Sequence, residues 1–206
     1  MNQDDKTTGS TESKTGQASE HAQQAGRGAQ DAAKGYVGHV QEVLTQPDRF
    51  FDANHRSGNT NAMIDLGGFL AVFFLASVVA RTFGYSGFDF EFGHLLDGIK
   101  AVLVIGIPIG ALVFAWNALG KTRGLDFYME KFGGALVLPC LLLIVAIVLD
   151  VLDIRIQSWF RGLAIVFVYI GVFAITYAHA AAGKVRTAVL FTAGFYILYR
   201  LLGLLF

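Results

Sequence analysis

Five long apolar runs constrain this chain more than anything else in it: 62–80, 101–119, 132–149, 163–182 and 185–206. Each approaches or exceeds the roughly 18 consecutive apolar residues that mark a membrane span. Charges punctuate them. Arg81 closes the first, Lys100 and Lys121 bracket the second, Lys131 and Asp150 the third, and Arg161 and Lys184 the fourth. As a helix, Ala101–Leu119 is about 29 Å long, close to the thickness of a bilayer's hydrocarbon core. Hydrocarbon offers no partner to a backbone N–H or C=O, so a segment crossing it must satisfy its own, and runs of this length do so as α-helices. The expected fold is all-α: a polytopic membrane bundle of five transmembrane helices.

Composition agrees. The chain has 206 residues, 54% of them hydrophobic, although residues 1–60 are mostly Gln, Ser, Thr, Gly, Ala and charge. The remainder is therefore more apolar than a water-soluble core requires. Net charge is zero, so nothing global draws the protein to nucleic acid. A lone cysteine, Cys140, lies within an apolar run and reads as a small buried hydrophobe. Residues 1–35 hold no apolar run and are expected to be a disordered polar tail, with the first span acting as insertion signal.

Residues 36–61 link tail to spans. Tyr36, Val37, Val40, Val43 and Leu44 fall on one helical face beside His39, Gln41 and Glu42. That spacing predicts a short amphipathic helix over 36–45 at the membrane surface, with a plain linker as the alternative. Pro47 should end it. Phe50 and Phe51 suit an interfacial anchor, and Asn59 or Thr60 can cap the first span. In the second span Pro108 predicts a kink.

Lys and Arg set the orientation. With the N-terminus inside, the inner segments hold seven (Arg49, Arg56, Lys121, Arg123, Lys131, Lys184, Arg186) and the outer loops four (Arg81, Lys100, Arg155, Arg161). This predicts a cytoplasmic N-terminus and an external C-terminus. The outer segment 83–92 alternates aromatic and acidic residues and reads as an interfacial anchor, the alternative being a binding strand.

Three stretches carry a resemblance. Leu44-Thr-Gln-Pro47-Asp-Arg-Phe50-Phe51 precedes the first span, Phe127-Tyr-Met-Glu-Lys-Phe132-Gly133-Gly134 leads into the third, and two closely coupled spans end the chain. In these the chain, over about residues 40–206, resembles the Yip family of five-pass membrane proteins, in particular its bacterial branch. The resemblance implies a bacterial cytoplasmic membrane. Eukaryotic members interact with Rab GTPases in vesicle traffic and carry an Asp-Leu-Tyr-Gly-Pro-type tail motif. That motif is absent here, so neither the trafficking role nor any functional residue is transferred.

Chemistry is sparse. The five histidines (His21, His39, His55, His94, His179) are scattered, there is no His-Glu-x-x-His or paired cysteine, and Gly26-Arg-Gly28 is too short to cradle a phosphate. Ser77, the serine within a span, has no evident base beside it. No enzyme activity, metal or cofactor is expected. The informative positions are the ionisable and polar residues at membrane depth: Asp65, Asn117, His179 and Arg200, with Asp150 and Asp153 at the outer ends. Arg200 is expected to pair with Asp150 or Asp153. Asp65, Asn117 and His179 share a depth on three helices, and read either as unrelated interface residues or as half of an ion site. The leading expectation is a non-catalytic protein that organises membrane or recruits partners through its tail. Its expected partners are the lipid bilayer and further copies of itself or another membrane protein. The alternative is a small transporter or channel component.

Overall fold

A computed structural model describes residues 33–52, 54–56, 58–83, 88–119, 123–180 and 184–206. Residues 33–45 are helical (α1), followed by α2 (Pro47–Phe50), α3 (Asn59–Thr82), α4 (Phe92–Leu119), α5 (Leu125–Val151), α6 (Gln157–Ile175, continued by a π turn over Thr176–Ala180) and α7 (Val185–Leu205). There is no strand among the described residues. The last five helices are each long and apolar enough to cross a membrane, so the expected all-α membrane bundle is the fold. The chain divides into two units, Met1–Gln41 and Glu42–Phe206. In the first, helical residues 33–41 bring the rings of Tyr36 and His39 to 5.9 Å. Most of the expected tail, residues 1–32, lies outside the described residues.

The second unit holds the bundle. Packing partners show α3 and α4 antiparallel: Gly98 lies against Phe74 and Val78, and Gly106 against Leu70. Gly171 of α6 meets Ala135 of α5, and Gly203 of α7 lies nearest Val104 of α4. The spans therefore alternate in direction. Asn59, Leu119, Leu125 and Ala180 mark a near end, and Thr82, Phe92, Val151 and Gln157 a far end. The central helix is α5, which packs most extensively on α3 and α6. Of its most apolar stretch 44% is buried, against 11% for α7, which lies at the periphery. Lipid tails compete with any apolar side chain, so helices in hydrocarbon associate where small residues let backbones approach. At Gly98 and Gly133 a side chain would meet a neighbouring helix: a Cβ on Gly133 would stand 3.0 Å from the Ala62 carbonyl oxygen. The outward surface is apolar, with Leu190, Ile197, Leu201 and Leu204 exposed on α7. Such a surface suits hydrocarbon.

Several boundaries move. α5 starts at Leu125 rather than Phe132, α4 at Phe92 rather than Ala101, and α6 at Gln157 rather than Leu163. A run read as ending at its first charge ends too early when that charge has a partner. Lys131 and Arg161 are each ion-paired inside the helices they were expected to flank, and α4 runs past the expected boundary at Lys100 to take in Asp97, which is paired with Arg81. The residue before α3 is Gly58 at φ 90°, with no side-chain cap, so neither Asn59 nor Thr60 caps the span. Only Gln46 separates α1 from α2. α4 continues through Pro108 and α5 through Pro139, a second interior proline whose structural part the sequence reading passed over. At the far end residues 84–87 lie outside the described residues, while Phe88, Phe90 and Phe92 are exposed.

Candidate functional site

The polar residues of the bundle gather at two places. The denser lies at the near end, where the segment before α3 folds onto the first turns of α5. From Phe127 to Gly134 every residue of α5 except Met129 is buried. Gly134 has no side chain because the ring of Phe50 takes that space, and any Cβ there would collide with it. Phe50 is fully buried and meets Phe51 edge-on at 5.4 Å. Of the two phenylalanines expected as a membrane-surface anchor, Phe50 is thus an internal one, wedged into the bundle.

One helical turn earlier, Lys131 is fully buried. Its ammonium donates to the backbone carbonyl of Phe50 and, at 2.8 Å, to that of His55. A buried ammonium offers three donors, and these carbonyls accept two of them. Glu130, also buried, stands 3.9 Å from Lys131 and 3.7 Å from Arg56. The ring of Phe127 collects cations: Arg123 at 4.4 Å from its centroid, Arg56 at 4.9 Å and Lys131 at 5.7 Å. Aromatic faces attract cations at such distances, most strongly out of water. Glu42 adds an ion pair to Arg49 at 3.5 Å and stands 3.6 Å from Nε2 of His55.

The bundle closes this cluster from the other side. Arg123 can only donate, and does so to Nδ1 of His179 at 3.2 Å. His179 also stands edge-on to Phe127 at 5.0 Å. Trp116 of α4 stacks on Tyr128 at 6.1 Å and donates through Nε1 to the Thr176 hydroxyl at 2.8 Å, which in turn donates to the Val172 carbonyl at 2.7 Å. Thr176 opens the π turn, a widened turn that often marks a functional position in a helix.

At the far end, Arg161 of α6 donates to the carboxylate of Asp150 on α5, and Arg81 of α3 stands 3.6 Å from Asp97 of α4. A cavity of about 390 Å³ lies between these helices.

The six residues singled out from sequence separate. Asp65 is buried on α3 beside Gly133. His179 belongs to the near-end cluster, whereas Asn117 is exposed one residue beyond the buried Trp116. Asp150 is buried and paired with Arg161, not Arg200; Arg200 is exposed and has no ion pair among the described residues. Asp153 is exposed in the turn after α5, at φ 54°. The expected Arg200 pairing fails because Arg161, in the second turn of the neighbouring α6, reaches Asp150 first. Sequence reasoning missed Lys131, Glu130 and Trp116. Lys131 served there as a boundary marker and as one of the cations that set the orientation, yet an adjacent Glu-Lys pair entering a glycine-containing apolar run was a usable signal.

Catalysis requires a nucleophile beside a base or a set of metal ligands, and among the described residues no three His, Cys, Asp or Glu side chains are placed to hold a metal ion. The near-end arrangement is a clamp: it binds a stretch of backbone through cations and aromatic rings. Compared with protein-family models, curated proteins and solved structures, the chain finds no match.

Proposed function

We propose that this five-span protein is a non-catalytic membrane anchor that presents its N-terminal segment on the cytoplasmic side for partner recruitment, as a Yip-like protein of a bacterial cytoplasmic membrane. The observation that carries the reading is the buried Lys131, whose ammonium ties the carbonyls of Phe50 and His55 to the central helix. A bundle serving only to cross a bilayer has no need to bury a charge at this joint, where desolvation is costly unless every donor is used. A bundle that must hold an attached segment in one position does. Orientation follows the excess of Lys and Arg at the near end, where Arg49, Arg56, Arg123, Lys131, Lys184 and Arg186 lie.

The dispersal of Asp65, Asn117 and His179 into three different surroundings supports this reading over a transporter, whose site should gather polar groups near the midplane. The test is crosslinking in membranes followed by co-purification, comparing the full chain, a chain lacking residues 1–35, and Lys131→Met. Specific partners recovered with the full chain and lost with both variants are expected. Recovery from the truncated chain equal to that from the full one would overturn recruitment through the tail.

A further inference from the structure

The far-end cavity takes no part in the near-end clamp, and its lining is graded. Arg81, Asp97 and Arg161 stand at its outer level, while Phe73, Leu143 and Ile165 line it as well. Along α3 the distance from Arg81 to Phe73 is about 12 Å, eight residues of helical rise. The lining is thus charged at the depth where headgroups lie and apolar toward the hydrocarbon. Its volume of about 390 Å³ is in the range of small-molecule pockets, roughly 300–1,000 Å³.

The hydrogen-bond inventory narrows the ligand. Ser77 also lines the cavity, but its hydroxyl donates to the Phe73 carbonyl at 2.9 Å, so it cannot also donate to an anion. Donors come from the arginines and from the hydroxyl of Tyr199, which also lines the cavity. Arg161 uses Nη2 on Asp150 and its Nε is buried, which leaves Nη1 as the donor it can offer. Arg81 meets Asp97 only at 3.6 Å, beyond ordinary hydrogen-bond length. The two guanidinium groups are balanced by Asp97 in the lining and by Asp150 behind it, so what selects an anion is their unused donors rather than a net charge. A phosphate diester carries one negative charge, and its two free oxygens accept from guanidinium donors. A free phosphate ion would leave the apolar part of the cavity uncovered, whereas a diester attached to acyl chains covers it.

We infer that the cavity framed by Arg81, Asp97 and Arg161 is a binding site for the phosphodiester headgroup of a membrane phospholipid from the far leaflet. Asp97 stands where the headgroup's ammonium or hydroxyl donors would extend.

The full-length chain, purified in detergent and stripped of lipid, is offered phosphatidylglycerol or phosphatidylethanolamine, and bound lipid is counted by native mass spectrometry. One phospholipid per chain is expected to survive detergent exchange. Arg81→Gln should lower retention about tenfold, the scale of one charge-assisted contact. Arg161→Gln alone would strand the buried Asp150, so the second variant is the pair Asp150→Asn with Arg161→Gln, accepted once its thermal unfolding stays cooperative; it should lose retention likewise. Arg200→Gln, outside the lining, should retain lipid as the wild type does. Wild-type retention in the Arg81 and paired variants would overturn the assignment. So would displacement of the lipid by millimolar glycerol 3-phosphate or inorganic phosphate, which would make the site one for soluble phosphate compounds.

Discussion

The ring of Phe50 fills the space that a side chain at Gly134 would occupy, across more than eighty positions of sequence. This contact joins two stretches that the sequence shows as separate, the aromatic pair before the first span and the glycine pair inside the third. The ring is fully buried against Gly134, so a side chain added there has to displace it.

Gly134→Leu should therefore destabilise the protein by about 1–3 kcal/mol, the usual cost of overpacking a well-filled interior. Gly68→Leu, at a position with nothing within 4 Å of an added Cβ, should be close to neutral. Thermal unfolding in detergent checks both. Equal stability of the two variants would mean that Phe50 is not held where the structure places it.

Removing the Lys131 ammonium should loosen the joint and leave the rest of the bundle folded. Lys131→Met removes donors from the carbonyls of Phe50 and His55 and a neighbouring cation from Glu130. A loss of about 1.5–3 kcal/mol is expected, the range for hydrogen bonds to charged groups. Hydrogen exchange and protease cutting over residues 50–56 should rise, while α6 and α7 remain protected. Glu130→Gln in the same chain should recover part of the loss, since it removes the carboxylate left with one cation fewer.

The far-end ion pair should behave as a unit. Asp150 is 3% exposed, so Arg161→Gln leaves a buried carboxylate without its cation, a change that costs about 3–5 kcal/mol in comparable pairs. Asp150→Asn together with Arg161→Gln should cost clearly less than Arg161→Gln alone. By contrast, Arg200→Leu should stay within about 0.5 kcal/mol of the wild type, as surface changes generally do. A larger loss at Arg200 than at Arg161 would reverse the assignment of Asp150's partner.

Topology is open to a direct check. Reporter fusions in the N-terminal segment and in residues 120–124 and 183–187 should be cytoplasmic, and a reporter after Phe206 external, following the Lys and Arg excess at the near end. A C-terminal reporter active only in the cytoplasm would turn the bundle over, and with it the leaflet that supplies lipid to the far-end cavity.

How much of this was readable without the structure depends on the range of the interaction. The five spans were legible because each is decided within about twenty residues by one requirement, that a backbone in hydrocarbon bond to itself. Three starts were placed too late, after Lys100, Lys131 and Arg161, because whether a charge ends a span depends on what it meets. Lys131 meets carbonyls from a segment more than seventy positions away, and no periodicity in its own neighbourhood encodes that. Arg200 was expected to meet Asp150 or Asp153, and only the packing of α5 against α6 gave Asp150 to Arg161. Sequence by itself determined that the chain crosses a membrane five times, because solvation of the backbone is local. Tertiary structure alone decided which polar groups meet, because in a medium that solvates none of them, each is held by whichever partner the packing brings within reach.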